Sequence, residues 1–186
     1  MERPASAQAK LVPAEHGLAP EGEGWFVLNA AAAVWRHFEE YGDWCTFEGA
    51  GAASFREVGI NLHVLEPGQP NCKYHGESAQ EDFLVLSGEC IAVIDGEERR
   101  LRAWDFVHCP SWTEHVFVGA GDRPCLLLMV GARPEAGGII YPVSEAAARH
   151  GASVAVATPD PQEAYAGRPA RVEIPARRDV LPGAPR

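Results

Sequence analysis

A chain of 186 residues is long enough for one domain with a sizeable core. Its 26 acidic residues against 16 Lys and Arg give a formal charge of -10, which argues against nonspecific attraction to nucleic acid or to an anionic membrane. No long apolar run suits a membrane span and the opening MERPASAQAK lacks an apolar secretion core, so the expected placement is cytoplasmic.

In chain order, residues 1–21 are rich in Ala, Pro and charge without periodicity and read as a flexible arm. Residues 22–57 read as a flank of one strand and one helix. Trp25 to Leu28 supply the strand, while Asn29 caps a helix with Val34, Trp35 and Phe38 on one face and Gly42 as its stop. The run of four alanines fits a loosely packed turn equally well.

Residues 58–133 read as the core. INLHVLEP, CKYHGE, DFLVLSGE, CIAVIDGEE, WDFVHCP, HVFVGAGD and CLLLMVGA are short apolar or alternating runs separated by turn signals such as PGQPN, SGE and GAGDRP. That pattern predicts consecutive antiparallel strands, with Asp95 and Gly96 turning the clearest hairpin. The fold class is therefore mainly β, a single jelly-roll barrel with short flanking helices. Residues 134–186 read as a helical flank and tail: Ser144 caps one helix that Gly151 ends, DPQEAYAG adds a helical turn, and RRDVLPGAPR is the tail. The five cysteines, Cys45, Cys72, Cys90, Cys109 and Cys125, are odd in number and form no CxxC pair. They read as reduced, buried small hydrophobes.

The chemistry is concentrated in GQPNCKYHGESAQEDFLVLSGE and WDFVHCPSWTEHVFVG. His75, Glu77, Glu81 and His115 can bring two imidazoles and two carboxylates round one divalent ion, a set that suits Mn, Fe, Zn, Co or Ni. Strand alternation puts Lys73 beside His75 and Glu77, so Lys73 and the neighbouring Tyr74 are candidate substrate contacts. His63 and His108 are reserve ligands.

These segments resemble the two motifs of the cupin family, G(X)5HXH(X)3,4E(X)6G and G(X)5PXG(X)2H(X)3N. Glu81 stands the right distance before Gly88, and Pro110 the right distance before His115. The sequence departs where Glu77 replaces a histidine, where Trp104 and Trp112 replace glycines, and where Gly119 replaces an asparagine. One extra residue separates Gly68 from His75; the other register restores that spacing but puts Tyr74 and Gly76 at the ligand positions.

The resemblance implies a metal-binding barrel with a small-molecule pocket. Two function classes follow: a mononuclear metal enzyme of isomerase, lyase or dioxygenase type, or a non-catalytic module that senses or binds a small ligand over a structural metal. The apolar flanks WFVL and IIYPV suit covered sheet edges and predict a homodimer.

Overall fold

The structure is a computed structural model in which residues 7–183 are described. The strands run β1 (Lys10–Pro13), β2 (Leu18–Glu21), β3 (Trp35–Phe38), β4 (Gly42–Thr46), β5 (Val58–Leu65), β6 (Gly76–Glu77) and β7 (Glu81–Ser87). They continue with β8 (Glu89–Ile94), β9 (Glu97–Arg102), β10 (Phe106–Cys109), β11 (His115–Ala120), β12 (Cys125–Ala132), β13 (Ile139–Ile140) and β14 (Val172–Ile174). Two one-turn helices, α1 (Glu145–Ala148) and α2 (Pro161–Ala164), precede β14.

A seven-stranded sheet in the order β10-β7-β12-β5-β4-β3-β14 faces a three-stranded sheet in the order β11-β8-β9. Every pairing between these strands is antiparallel. The jelly-roll expectation is met.

Alternation explains the layers. Leu65, Phe83, Val85 and Leu127 point inward from the large sheet and meet Cys90, Ala92 and Phe117 from the small one. The intervening residues Leu62, Val64 and Leu126 point outward onto Trp35, Ala33 and Cys45. Val93 and Val116 point outward from the small sheet onto Tyr74, Ala146 and Ala147. Each fully buried Val, Leu or Phe contributes about 1.5–3 kcal/mol, so both covers add to the stability of the barrel.

The covers are where expectation and structure part. The predicted helix after Asn29 is a 3-10 turn, Ala30–Ala32, whose first turn is capped by the Asn29 side chain accepting from the Ala31 N–H at 2.9 Å. The chain then extends as β3, turns at Gly42 and returns as β4. Val34, Trp35 and Phe38 suit a pleated surface at least as well as a helix, and pairing of β4 with β5 decides the matter. Within the expected arm, β1 and β2 form a hairpin, while residues 1–6 lie outside the described residues.

Trp25 makes only a single bridge to Gln8, so WFVL is not a ladder strand. In the expected tail, Arg177 ties the chain to Asp43, Glu66 and Asp179, and residues 184–186 lie outside the described residues. α1 and α2 stand where helices were expected, capped by Ser144 and Asp160.

Candidate metal centre

His75 and His115 face each other across an isolated antiparallel bridge. The His75 N–H donates to the His115 carbonyl at 3.1 Å and the His115 N–H donates to the His75 carbonyl at 2.8 Å. Their rings meet at 4.9 Å between centroids. Glu81 opens β7 on the same inward face as Phe83 and Val85, and Phe83 packs edge-on to the His115 ring at 5.1 Å.

Both imidazoles are held in the same tautomer. His75 Nδ1 donates to the Lys73 carbonyl at 2.8 Å, and His115 Nδ1 donates to the Thr113 carbonyl at 2.9 Å. Carbonyls only accept, so each ring keeps its proton on Nδ1 and presents the Nε2 lone pair. One donor atom from each of His75, His115 and Glu81 lies within 4.8 Å of the other two. Glu81 Oε2 is 3.1 Å from His115 Nε2 and 3.9 Å from His75 Nε2. Glu81 Oε2 and His115 Nε2 are buried without a well-directed hydrogen bond. Buried lone pairs aimed at a common point are costly unless something is bound between them, and the donor set fits a divalent transition ion.

The protonation states carry the same strain. Burial, reinforced by the neighbouring His115, pulls His75 down to about 4. Burial also works against charge on His115, but the adjoining Glu81 outweighs it and raises that imidazole above its ordinary value. Burial pushes the Glu81 carboxyl up; His115 and His75 outweigh it and hold Glu81 below the usual carboxylate range. Glu77 is lifted to about 7, first by burial and then by the Glu81 charge. It lies beside the three-residue cluster without joining it, lining a separate surface hollow with Ser78 and Gly138.

The expected substrate contacts lie elsewhere. Lys73 Nζ donates to the Gly151 and Ser153 carbonyls, each at 3.0 Å, beneath a different cavity. Tyr74 is turned outward into the α1 side of the barrel, its hydroxyl accepting from the Gly96 N–H at 3.0 Å. The cause is local: Pro70 and His75 make isolated bridges and residues 71–74 between them belong to no strand, so strict alternation does not carry Lys73 to the His75 side. His108 points away from the barrel interior and pairs with Asp82 at 2.6 Å. His63 does point inward, but its Nε2 donates to the Tyr41 carbonyl at 2.7 Å, and burial drives it down to about 4.

Above the cluster opens a cavity of about 270 Å³, with His75, Glu81 and Cys72 among its lining residues. Phe38, Tyr41 and Trp44 line it from the β3–β4 hairpin, and Tyr165 and Arg171 from the C-terminal flank. None of these five carried a signal in the sequence, because residues far apart in the chain meet only when β14 pairs with β3. All five cysteines are free. Cys72 Sγ lies 3.6 Å from His75 Nδ1, but that nitrogen already holds its proton toward Lys73, and burial pushes the thiol well above its ordinary value. It is not an activated nucleophile.

The chain is thus an antiparallel barrel of jelly-roll type with a histidine and carboxylate cluster, a candidate metal centre, at the base of an inward cavity. The family model described as Cupin domain matches residues 61–131, which hold all three clustered residues. A predicted oxalate decarboxylase from Thermotoga maritima shares the fold at a TM-score of 0.52 and 17% identity, over 59% of this chain and 100% of that one. A sugar phosphate isomerase from a cupin superfamily, from Silicibacter pomeroyi, is similar at a TM-score of 0.46 and 26% identity, over 52% of this chain and 63% of that one. The present chain thus spans less than two thirds of the isomerase. Residues 61–131 are thus a cupin domain, carried within a barrel of the same fold as the Thermotoga maritima structure.

Proposed function

We propose that the chain is a mononuclear metal cupin acting on a small organic molecule, with His75, Glu81 and His115 as ligands and Glu77 as an adjoining carboxylate. One observation carries the reading: two imidazoles locked in the Nε2-presenting tautomer converge with a buried carboxylate oxygen at the base of a cavity. Mn, Fe, Zn, Co and Ni all suit this donor set. When bound, such an ion polarises a carbonyl or hydroxyl oxygen, the chemistry of isomerases, lyases and dioxygenases. The chain's own part is to exclude water with Phe38, Met129 and Trp44 and to keep His63 neutral as a polar wall group.

Elemental analysis of the purified protein tests this. About one divalent transition ion per chain is expected, together with turnover in a panel of carbonyl and hydroxyl substrates that disappears on chelation and returns with metal. Metal-free protein that takes up no transition ion overturns the reading. Retention of metal without turnover leaves the sensing module, in which the same cavity binds but does not convert.

The reading includes a cytoplasmic homodimer. The free cysteines fit a reducing compartment, and no helix among the described residues is long and apolar enough to cross a membrane. Exposed apolar side chains beside open strand edges support self-association.

A further inference from the structure

The cavity wall carries a polar group that nothing among the described residues satisfies. Tyr41 is 3% exposed, lines the cavity, and its hydroxyl is buried without a hydrogen-bond partner. Burial keeps this phenol well above its ordinary value, so it holds its proton and can donate. An unpaired buried hydroxyl costs free energy that a ligand oxygen would recover. Its backbone carbonyl accepts from the His63 ring at 2.7 Å, which holds the residue in the wall.

Arg171 is the second such group. It is the only Lys or Arg among the described residues lining this cavity, it stands at the exposed mouth, and it makes no ion pair among the described residues. Its guanidinium lies over the Trp44 ring at 5.1 Å and near the Phe38 ring at 5.9 Å. Stacking on those rings restrains the plane and leaves the N–H edge for an acceptor. In a chain of net charge -10, an unpaired cation at a cavity mouth works against the overall field and marks a local preference for an anion.

An organic cation is the wrong occupant. Arg171 already covers Trp44, and Arg168, which is paired with Glu40, lies over the Tyr41 ring at 4.8 Å. The aromatic faces are thus taken by the chain's own guanidiniums. Phosphate is disfavoured because its charge of about −1.5 to −2 would meet a single guanidinium, whereas the one charge of a carboxylate is matched by it.

We infer that the cavity takes a small organic carboxylate, its carboxylate paired with Arg171, its apolar part against Phe38 and Met129, and a further oxygen accepting from the Tyr41 hydroxyl. This rests on the cavity being the substrate site and narrows it to a substrate class. Phe38, Tyr41 and Arg171 all lie outside residues 61–131, so the flanks supply the selecting wall while the matched domain supplies the metal donors.

Calorimetric titration tests the inference with succinate, malate and benzoate against succinamide, malamide and benzamide, with inorganic phosphate as a further probe. At least one acid should bind about tenfold or more tightly than its amide. Arg171→Gln should abolish that preference, and Tyr41→Phe should weaken the acid about fivefold, both with wild-type metal content and melting temperature. Equal binding of acids and amides, tighter binding of phosphate, or an acid preference that survives Arg171→Gln overturns the inference. The same titrations on chelated protein separate the two claims. Protein that takes up no metal yet prefers acids through Arg171 sinks only the metal reading; metal-replete protein indifferent to the acid group sinks only this one.

Discussion

The two histidines owe their usefulness to a repeated local device. Each ring bonds the carbonyl two residues upstream, Lys73 for His75 and Thr113 for His115, and the bridge between them aligns the rings. Glu81→Ala or His115→Ala should therefore lower metal content by tenfold or more, since each removes a donor from a cluster of only three. Glu77→Gln should lower it less, as that carboxyl stands outside the cluster. Wild-type metal content in both the Glu81 and His115 variants would remove the site. A second residue-scale expectation concerns His63, pulled down to about 4 chiefly by burial. Unfolded, it takes up a proton near 6.5, whereas folded it does so only near 4, so the native state loses stability as pH falls through that window. The loss approaches about 3 kcal/mol in all, and above pH of roughly 6.5 this group adds no pH dependence. Urea unfolding of metal-free protein at several pH values should show a shallower acid loss in His63→Gln. An unchanged slope would mean that His63 is not held neutral.

At the scale of elements, the β3–β4 hairpin shows where sequence reasoning succeeds and stops. Gly42 has φ of +84°, a conformation that serves a helix terminator and a hairpin turn alike, so the glycine itself could not tell helix from hairpin. Only β5, paired to β4 from Asp43 opposite Val64 to Thr46 opposite Asn61, settles it. A Cβ at Gly42 would stand 2.3 Å from the Val64 carbonyl oxygen. Gly42→Ala should therefore cost at least about 3 kcal/mol, or a melting temperature lower by roughly 6 °C or more, and should disturb the adjoining Tyr41. A variant melting within a degree of wild type would show that the turn can relax. By contrast, β5 and β7 to β12 were legible because each alternates and ends at its own turn signal, and Asp95–Gly96 turns as expected with both φ positive. Trp104 and Trp112, standing where the cupin motif has glycine, keep the glycine conformation with φ of 77° and 68°. The motif spacing thus dictates the turn even when the side chain opposes it. Glu81 and His115 stand out in the sequence because they keep that spacing, and His75 despite the extra residue before it, and the fold brings the three together; Tyr41 and Arg171 do not stand out, since their neighbourhood exists only after β14 closes on β3.

For the whole molecule the open edges decide what remains exposed. The large sheet ends at β10 on one side and β14 on the other, and beside β10 stand Trp104 at 74% and Phe106 at 63% exposure. The flanks expected to cover a neighbouring sheet are partly used within the chain, because β13 pairs with β6. Trp25, Val27 and Val143 nevertheless stay exposed. An unpaired edge next to two exposed aromatics is a liability in a lone subunit and is relieved by symmetric pairing with a second copy. A stable dimer buries about 800 Å² on each partner, so the β10 edge and its two aromatics would have to be joined by the adjoining exposed flank. Light scattering at micromolar concentration should give twice the chain mass of 20.1 kDa. Phe106→Glu should shift the protein to monomer while leaving any metal content unchanged, because Phe106 is exposed and lies outside the His75, Glu81 and His115 cluster. A monomeric wild type rejects the dimer. A dimer that tolerates Phe106→Glu would move its interface from β10 to the Trp25 and Val27 surface, where Val27→Glu is the corresponding test.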